Sequence, residues 1–293
     1  MAIPESQLET WAKQGSVNQS SSTYASIKIA LEDSKAIYKD KIFEVFLQGS
    51  YGNDTNIYAE SDVDVVIKLD SIFRGDTDSL SSEGKNAYNN LSNATYDFKD
   101  FKKSVIIRLQ NAFGKENVIE GSKAVHIKPS LSRRSADVVV AYQYRRYYNW
   151  PHGYTSGIVF PTQSSGEIIN YPKKHSDNCT TKHQETDNNF KPMVRILKNI
   201  RSKLVEDGII TKNTAPSYFV EGLLYNVPNE LLTGSYGNIL VNILNWFHEV
   251  LDRTKLLCAN EQYYLLRDGV LVCWSPTDAE RFINEVIKLW NNW

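Results

Sequence analysis

Apolar and polar positions recur along this chain with two different periods, and the change from one to the other organises it. Helical spacing comes first: Glu5 to Lys13 predicts a short helix, and Ser21 to Tyr38 a longer one with Ile27, Ala30, Leu31 and Ile37 on its apolar face. Phe43 to Leu47 and Val63 to Leu69 are short apolar runs of strand length. Asp70 to Tyr96, rich in Ser, Asp, Asn and Gly, reads as a long surface excursion. Phe98, Phe101, Val105, Leu109 and Phe113 then recur at helical steps over Asp97 to Phe113, with Gly114 as a stop, so this helix should back a sheet. Further strands are expected near Val118-Ile119, Ala124 to Ile127 and Ala136 to Tyr142.

Helical patterning dominates the second half. A helix from about Thr186 to Glu206 buries Met193, Val194, Leu197, Ile200 and Leu204, with Arg195, Lys198 and Arg201 on or beside its polar face. Another starts at Ala215-Pro216-Ser217 and runs through Phe219, Leu223 and Leu224; Asn238 to Leu251 and Asp278 to Trp290 add two more. The expected fold class is α/β (α+β): a mixed-sheet lobe over residues 1–180, including the N-terminal helices, and a helical lobe over 181–293 that closes a nucleotide cleft. With no repeat, Gly/Ser linker or low-complexity tail, the two should form one folding unit.

Composition narrows the function classes. Of 293 residues, 41% are apolar and 12% aromatic, enough to fill a core. The 33 basic and 34 acidic residues leave a net charge of −1, which gives no global attraction to polymeric nucleic acid or an anionic membrane. The first residues lack a basic start and an apolar stretch, and no run approaches roughly twenty apolar residues, so a cytoplasmic chain is expected. Cys179, Cys258 and Cys273 are odd in number and scattered, which points to reduced thiols. His175, Cys179 and His183, spaced by four, raise a zinc site, but the segment reads as a polar loop without a fourth ligand of clear spacing. His126, His152 and His248 have no recognisable partners.

The chemistry-bearing signal is Phe46-Leu47-Gln48-Gly49-Ser50 followed by Asp62-Val63-Asp64-Val65-Val66. On a strand, side chains alternate faces, so Asp62 and Asp64 project together while Val63, Val65 and Ile67 enter a core. Paired carboxylates of this kind suit divalent ions, whose charge and geometry lower the barrier to phosphoryl transfer. A glycine permits close backbone approach, and a hydroxyl with free amides accepts a phosphate, so Ser50 would hold a triphosphate tail. Asp-x-Asp alone is common on solvated strand edges; the ordered combination resembles the polymerase-β-like nucleotidyltransferase superfamily. That resemblance implies a third carboxylate on a neighbouring strand, and Asp137 in Ser135-Ala136-Asp137-Val138-Val139-Val140 fits it, placed also to help deprotonate an attacking ribose hydroxyl.

The opening Pro4-Glu5-Ser6-Gln7-Leu8-Glu9-Thr10-Trp11, the block Gln48 to Ile57, Asn170-Tyr171-Pro172, Lys191-Pro192-Met193-Val194-Arg195, Pro216 to Glu221 and Leu224-Tyr225-Asn226-Val227-Pro228 are similar, in order and over nearly the whole chain, to the bacterial CD-NTases of clade E. These relatives of cyclic GMP-AMP synthase make cyclic nucleotide messengers in CBASS anti-phage defence. The resemblance implies that Asp62, Asp64 and Asp137 bind two Mg²⁺, with Mn²⁺ as an alternative. It implies that Gln48, Gly49 and Ser50 hold the triphosphate, Lys198 and Ser217 further phosphate oxygens, and that Tyr218 stacks on a base. Lys198 as a solvated helix residue and Tyr218 as a core aromatic are the bland alternatives. Asn170 sits where clade E enzymes carry an Asn associated with uracil recognition, and a carboxamide can pair with the O4 and N3–H edge of uracil. The expected substrates are UTP with ATP or UTP, the product cyclic UMP-AMP or cyclic di-UMP, read by a separate CBASS effector. The enzyme is expected to act as a monomer, without stable nucleic acid or membrane partners. A nucleotidyltransferase acting on RNA or protein, and a catalytically silent nucleotide-binding module, are the alternatives.

Overall fold

The computed structural model describes residues 2–15, 17–58, 62–162 and 166–293; Ser61, immediately before the Asp62-x-Asp64 motif, lies outside the described residues. In chain order the main elements are α1 (Glu5–Ala12), α2 (Asn18–Leu31), β1 (Phe43–Leu47), the single turn α3 (Gly49–Gly52), β2 (Val63–Asp76), α4 (Ser82–Asn89), α5 (Phe98–Phe113), β3 (Val118–Glu120), β4 (Val125–Ile127), β5 (Ala136–Asn149), β6 (Gly153–Pro161), β7 (Glu167–Asn170), α6 (Pro172–Glu185), α7 (Phe190–Glu206), α8 (Ser217–Tyr225), α9 (Tyr236–Glu249) and α10 (Pro276–Asn291). They form two compact units, a sheet unit of Val17–Gln48 and Ser61–Pro172 and a helical unit of Met1–Ser16, Gly49–Glu60 and Lys173–Trp293. The expected cut between residues 180 and 181 therefore moves: that junction lies inside α6, and the helical unit also claims α1 and the Gly49-Ser50 turn.

In the sheet unit the strand order is β1-β2-β5-β4-β3, with β6 on β5 and β7 on β6. β2 and β5 are parallel and every other pair is antiparallel, a mixed sheet. The period-two reading of β2 holds: Val63, Val65 and Ile67 are buried with Val138 and Val140 against Phe101, Val105 and Leu109 of α5 and Ile27 and Leu31 of α2. Val66, Val139 and Ala141 point to the opposite face, where Ile158 and Phe160 of β6 complete a smaller cluster. Burying the apolar side of the α5 helix at about 25 cal/mol per Å² is the main force holding it on the sheet. Asp97 caps α5 by accepting from Lys99 N at 2.7 Å.

Three expectations about elements change. The second helix ends at Leu31 rather than Tyr38, because Asp33 takes the Lys35 amide at 2.7 Å in a local turn; Ile37 is then 69% exposed while Tyr38 turns inward and donates to Leu31 O. The Asp70 to Tyr96 excursion contains the second half of β2, past an irregularity between Leu69 and Phe73, and α4, capped by Ser81. The supposed polar loop around His175, Cys179 and His183 is α6.

In the helical unit, Met193, Val194, Leu197, Ile200 and Leu204 of α7 are all buried, beside Phe219, Leu223 and Leu224 of α8, Ile239 and Ile243 of α9 and Phe282 and Ile283 of α10. α1 adds Leu8 and Ala12 to this core, and α7 catches its last carbonyls: Asn199 donates to Trp11 O at 3.0 Å and Arg195 to Ala12 O at 2.5 Å. Glu5 accepts from the Tyr236 and Gly237 amides at 2.7 and 2.9 Å, an anion at the positive end of α9.

Candidate active site

The acidic residues collect at the start of two parallel strands in the sheet unit. Asp64 of β2 and Asp137 of β5 are directly paired in register, so their side chains leave the sheet on the same face, the one opposite α2 and α5. Asp62 stands one residue before β2 and accepts a short hydrogen bond from Ser135 Oγ, while Val63 N donates to Ser135 O at 3.1 Å. His126, on the far side of β5, is the register partner of Asp137 across the β4 ladder, and its Nδ1 lies 3.0 Å from Asp137 Oδ1. Ser135 and His126 thus each hold one carboxylate oxygen, as outer-shell donors orient the carboxylates of divalent-ion sites. An all-oxygen set on a rigid pair of strands fits a hard cation such as Mg²⁺.

Gln48 closes this unit's part of the motif, its N–H donating to Asp64 O at 3.0 Å. At Gly49 the chain enters the helical unit with φ +67, a left-handed value that costs a glycine little. Ser50 lies in α3, half-buried, and its carbonyl is held by Thr55, whose N–H donates at 2.8 Å and whose hydroxyl lies at 3.3 Å. Asn170 ends β7 opposite Ile158; its Oδ1 accepts from Tyr171 N at 2.8 Å, which fixes the carboxamide. Gly157 on β6 passes so close to Asn170 O and the Tyr171 ring that a Cβ there would sit 2.7 and 2.9 Å from them.

Two expected nucleotide ligands have partners inside the helical unit. Lys198 is fully buried and donates to Thr55 O at 2.8 Å. Tyr218 is stacked with His175 at 4.4 Å and Trp274 at 5.4 Å, and its hydroxyl accepts from Asn260 at 2.9 Å. Burial, then the neighbouring Cys258 and Glu221, raise the Tyr218 phenol well above its ordinary value. Ser217, first in α8, is half-buried and accepts from Arg201, whose guanidinium also holds Ala215 O at 3.1 Å.

The sequence spacing of His175, Cys179 and His183 is resolved differently by the fold. His175 and Cys179 meet Glu221 of α8, their ligand atoms within 4.8 Å of one another and all buried, whereas His183 is not in this group. Burial, then the charge of Glu221, hold the Cys179 thiol well up, in its neutral form. Glu221 is the reverse case: burial favours its neutral form, but the His175 hydrogen bond and charge, Lys198 and Thr55 outweigh it and hold the carboxyl at about 2, from 4.5.

Comparison with known proteins fixes the family. Residues 177–291 match the cGAS/DncV-like nucleotidyltransferase C-terminal helical domain. The cyclic nucleotide synthase CdnE01 of Staphylococcus haemolyticus is 36% identical, over 100% of both chains. The chain belongs to clade E of the CD-NTases. It is therefore a nucleotidyltransferase, with the α+β nucleotidyltransferase fold. Another CD-NTase, the cyclic UMP-AMP synthase of Rhodothermus marinus, is 36% identical over 100% of this chain and 99% of its own. Its solved structure, with Apcpp and Upnpp, superposes with a TM-score of 0.90 over 99% of this chain and 97% of that one. The cyclic dipurine nucleotide synthase of Elizabethkingia meningoseptica is 30% identical over 99% of this chain and 98% of its own. Among the described residues of this CD-NTase, no helix is long and apolar enough to cross a membrane.

Proposed function

We propose that this CD-NTase joins UTP with ATP, or two UTP molecules, into a 3′,5′-linked cyclic dinucleotide with release of pyrophosphate, as a messenger read by a separate CBASS effector. The observation that carries the reaction is the in-register pair Asp64 and Asp137 with Asp62 beside it. These three carboxylates would hold two Mg²⁺ ions, which when bound neutralise the phosphate oxygens and fix the in-line geometry. Asp137 takes the proton of the attacking 3′-hydroxyl. That oxygen bonds to the α-phosphorus of the second nucleotide as the bond to pyrophosphate breaks; a second attack, by the other 3′-hydroxyl on the remaining α-phosphorus, closes the ring and releases the second pyrophosphate. Gln48, Gly49, Ser50 and Ser217 bind the triphosphates.

Base choice is assigned to Asn170. Its oxygen is already engaged by the Tyr171 amide, so the group is fixed in orientation and offers its amide hydrogens to uracil O4, with the second oxygen lone pair left for N3–H. Full-length similarity to a cyclic UMP-AMP synthase supports this reading. The test is incubation with all four nucleoside triphosphates and Mg²⁺, phosphatase treatment and mass spectrometry, for the parent and Asn170→Ser. A uracil-containing cyclic product that shifts toward purines in the variant is expected. A purely purine product from the parent refutes the role of Asn170, and label transferred to added RNA or protein refutes the cyclase reading.

A further inference from the structure

Glu221 is a fully buried carboxylate that none of the steps above uses. Its two oxygens gather three segments of the helical unit. Oε1 accepts from Thr55 Oγ1 at 2.5 Å; Oε2 accepts from Asn53 Nδ2 at 3.1 Å and from His175 Nε2 at 2.7 Å. The turn carrying Asn53 and Thr55 is gripped from elsewhere as well. Lys198 holds Thr55 O at 2.8 Å, Lys191 pairs with Asp54 at 3.0 Å, Arg195 donates to Asp54 O at 2.5 Å, and Gln14 donates to Asn56 Oδ1 at 2.8 Å. Asp54 is left-handed at φ 57, and such a conformation persists where the surroundings over-determine it. Thr55 is the link back to the phosphate motif, since its amide and hydroxyl both hold the carbonyl of Ser50, and Asn53 N donates to Gly49 O at 3.1 Å.

We infer that Glu221 is a positioning residue for the triphosphate site: through Thr55 and Asn53 it sets the Gly49-Ser50 turn against α6 and α8 before any nucleotide arrives. The inference rests on Ser50 binding the triphosphate. Burying a carboxylate is costly unless every lone pair is met, and a purely structural core position would be served as well by an apolar side chain. What the buried charge adds is direction: three polar partners with fixed geometry allow the turn one conformation. The same three side chains His175, Cys179 and Glu221 are close enough to suggest a metal, but the Glu221 oxygens are already occupied by three donors and Cys179 is held neutral.

The experiment uses the full chain with Thr55→Val, which deletes the hydroxyl at nearly constant volume, and Thr55→Ser, which restores it. Binding of the nucleoside triphosphate that the parent holds most tightly, and of its monophosphate, is measured by calorimetry below the melting temperature of every variant. Loss of the hydroxyl that joins Glu221 to Ser50 O is expected to weaken triphosphate binding about ten-fold in Thr55→Val, leave monophosphate binding unchanged, and be reversed in Thr55→Ser. Equal affinities in parent and Thr55→Val, with only a lower melting temperature, would make the network merely structural and overturn the inference. Stoichiometric zinc in the purified parent, lost in Cys179→Ser, would overturn it too. A parent that binds monophosphate and triphosphate alike would instead remove the Ser50 reading on which the inference rests.

Discussion

Asp64 and Asp137 place two like charges opposite one another on neighbouring strands, an arrangement that costs stability unless a cation lies on that face. Asp64→Asn should therefore separate catalysis from folding. Activity is expected to fall by at least about 100-fold, while in chelator the melting temperature rises by about 1–3 °C as the repulsion is relieved. The rise that Mg²⁺ gives the parent should shrink in the variant; a variant that keeps activity, or a parent whose melting is indifferent to Mg²⁺, would remove these carboxylates from the metal site. The aspartates were legible because period two on a strand is a strong constraint, and Val63, Val65 and Ile67 are buried as it requires. Their partners were not. His126 reaches Asp137 only through the β4–β5 register, and Thr55 reaches Glu221 across 166 residues of sequence. The burial of Lys198 was hidden for a related reason: nothing local reveals that a distant turn supplies a carbonyl for it.

At the scale of elements, the apolar helices and the strand stretches 43–47, 63–69, 118–119, 124–127 and 136–142 were legible; β6, the second halves of β2 and β5, and the polar helices were not. α6 has the sequence Pro172 to Glu185 with only His175 and Cys179 buried, so its helicity comes from tertiary docking more than from an apolar stripe. α6 also carries a pH-sensitive contact to the next helix. His183 Nδ1 accepts the Lys191 amide at the start of α7, at 3.4 Å, which it can do only while unprotonated. Burial, and then the charges of Lys191 and Arg195, lower the His183 pKa from 6.5 to about 4. The unfolded chain takes up this proton first as pH falls, so the contribution of His183 is complete above about 6.5 and is lost on descent toward about 4. His183→Gln keeps an acceptor without the titration. Thermal melts across that window should show the parent losing more stability than the variant; parallel curves would mean that His183 is not the titrating group.

At the scale of the molecule, the chain weaves between its two units, and the helical one is assembled from three separate stretches. The matched helical domain, residues 177–291, is therefore not self-sufficient. Its core includes Ile3, Leu8 and Ala12 from the N-terminal stretch, packed with Met193, Ile239 and Phe282. Two of its buried charges take partners from the middle stretch: Lys198 donates to Thr55 O, and Glu221 accepts from Asn53 and Thr55 as well as from His175. Cutting the chain at Lys173 exposes the apolar surface that α1 covers and removes three hydrogen bonds at these buried charges, from Asn53 and Thr55 to Glu221 and from Lys198 to Thr55 O, each lost partner costing about 1–3 kcal/mol against a total stability of about 5–15 kcal/mol. Residues 173–293 alone should thus give helical circular dichroism without a cooperative melt, and bind a hydrophobic dye that the full chain does not. Adding α1 by itself should not rescue it, because Lys198 and Glu221 still lack their turn; a fragment spanning 49–293 should regain those partners but not the Leu8 contacts. Cooperative unfolding of 173–293 with a well-dispersed amide spectrum would refute this, and would mean that the buried lysine and glutamate are satisfied within the helices themselves.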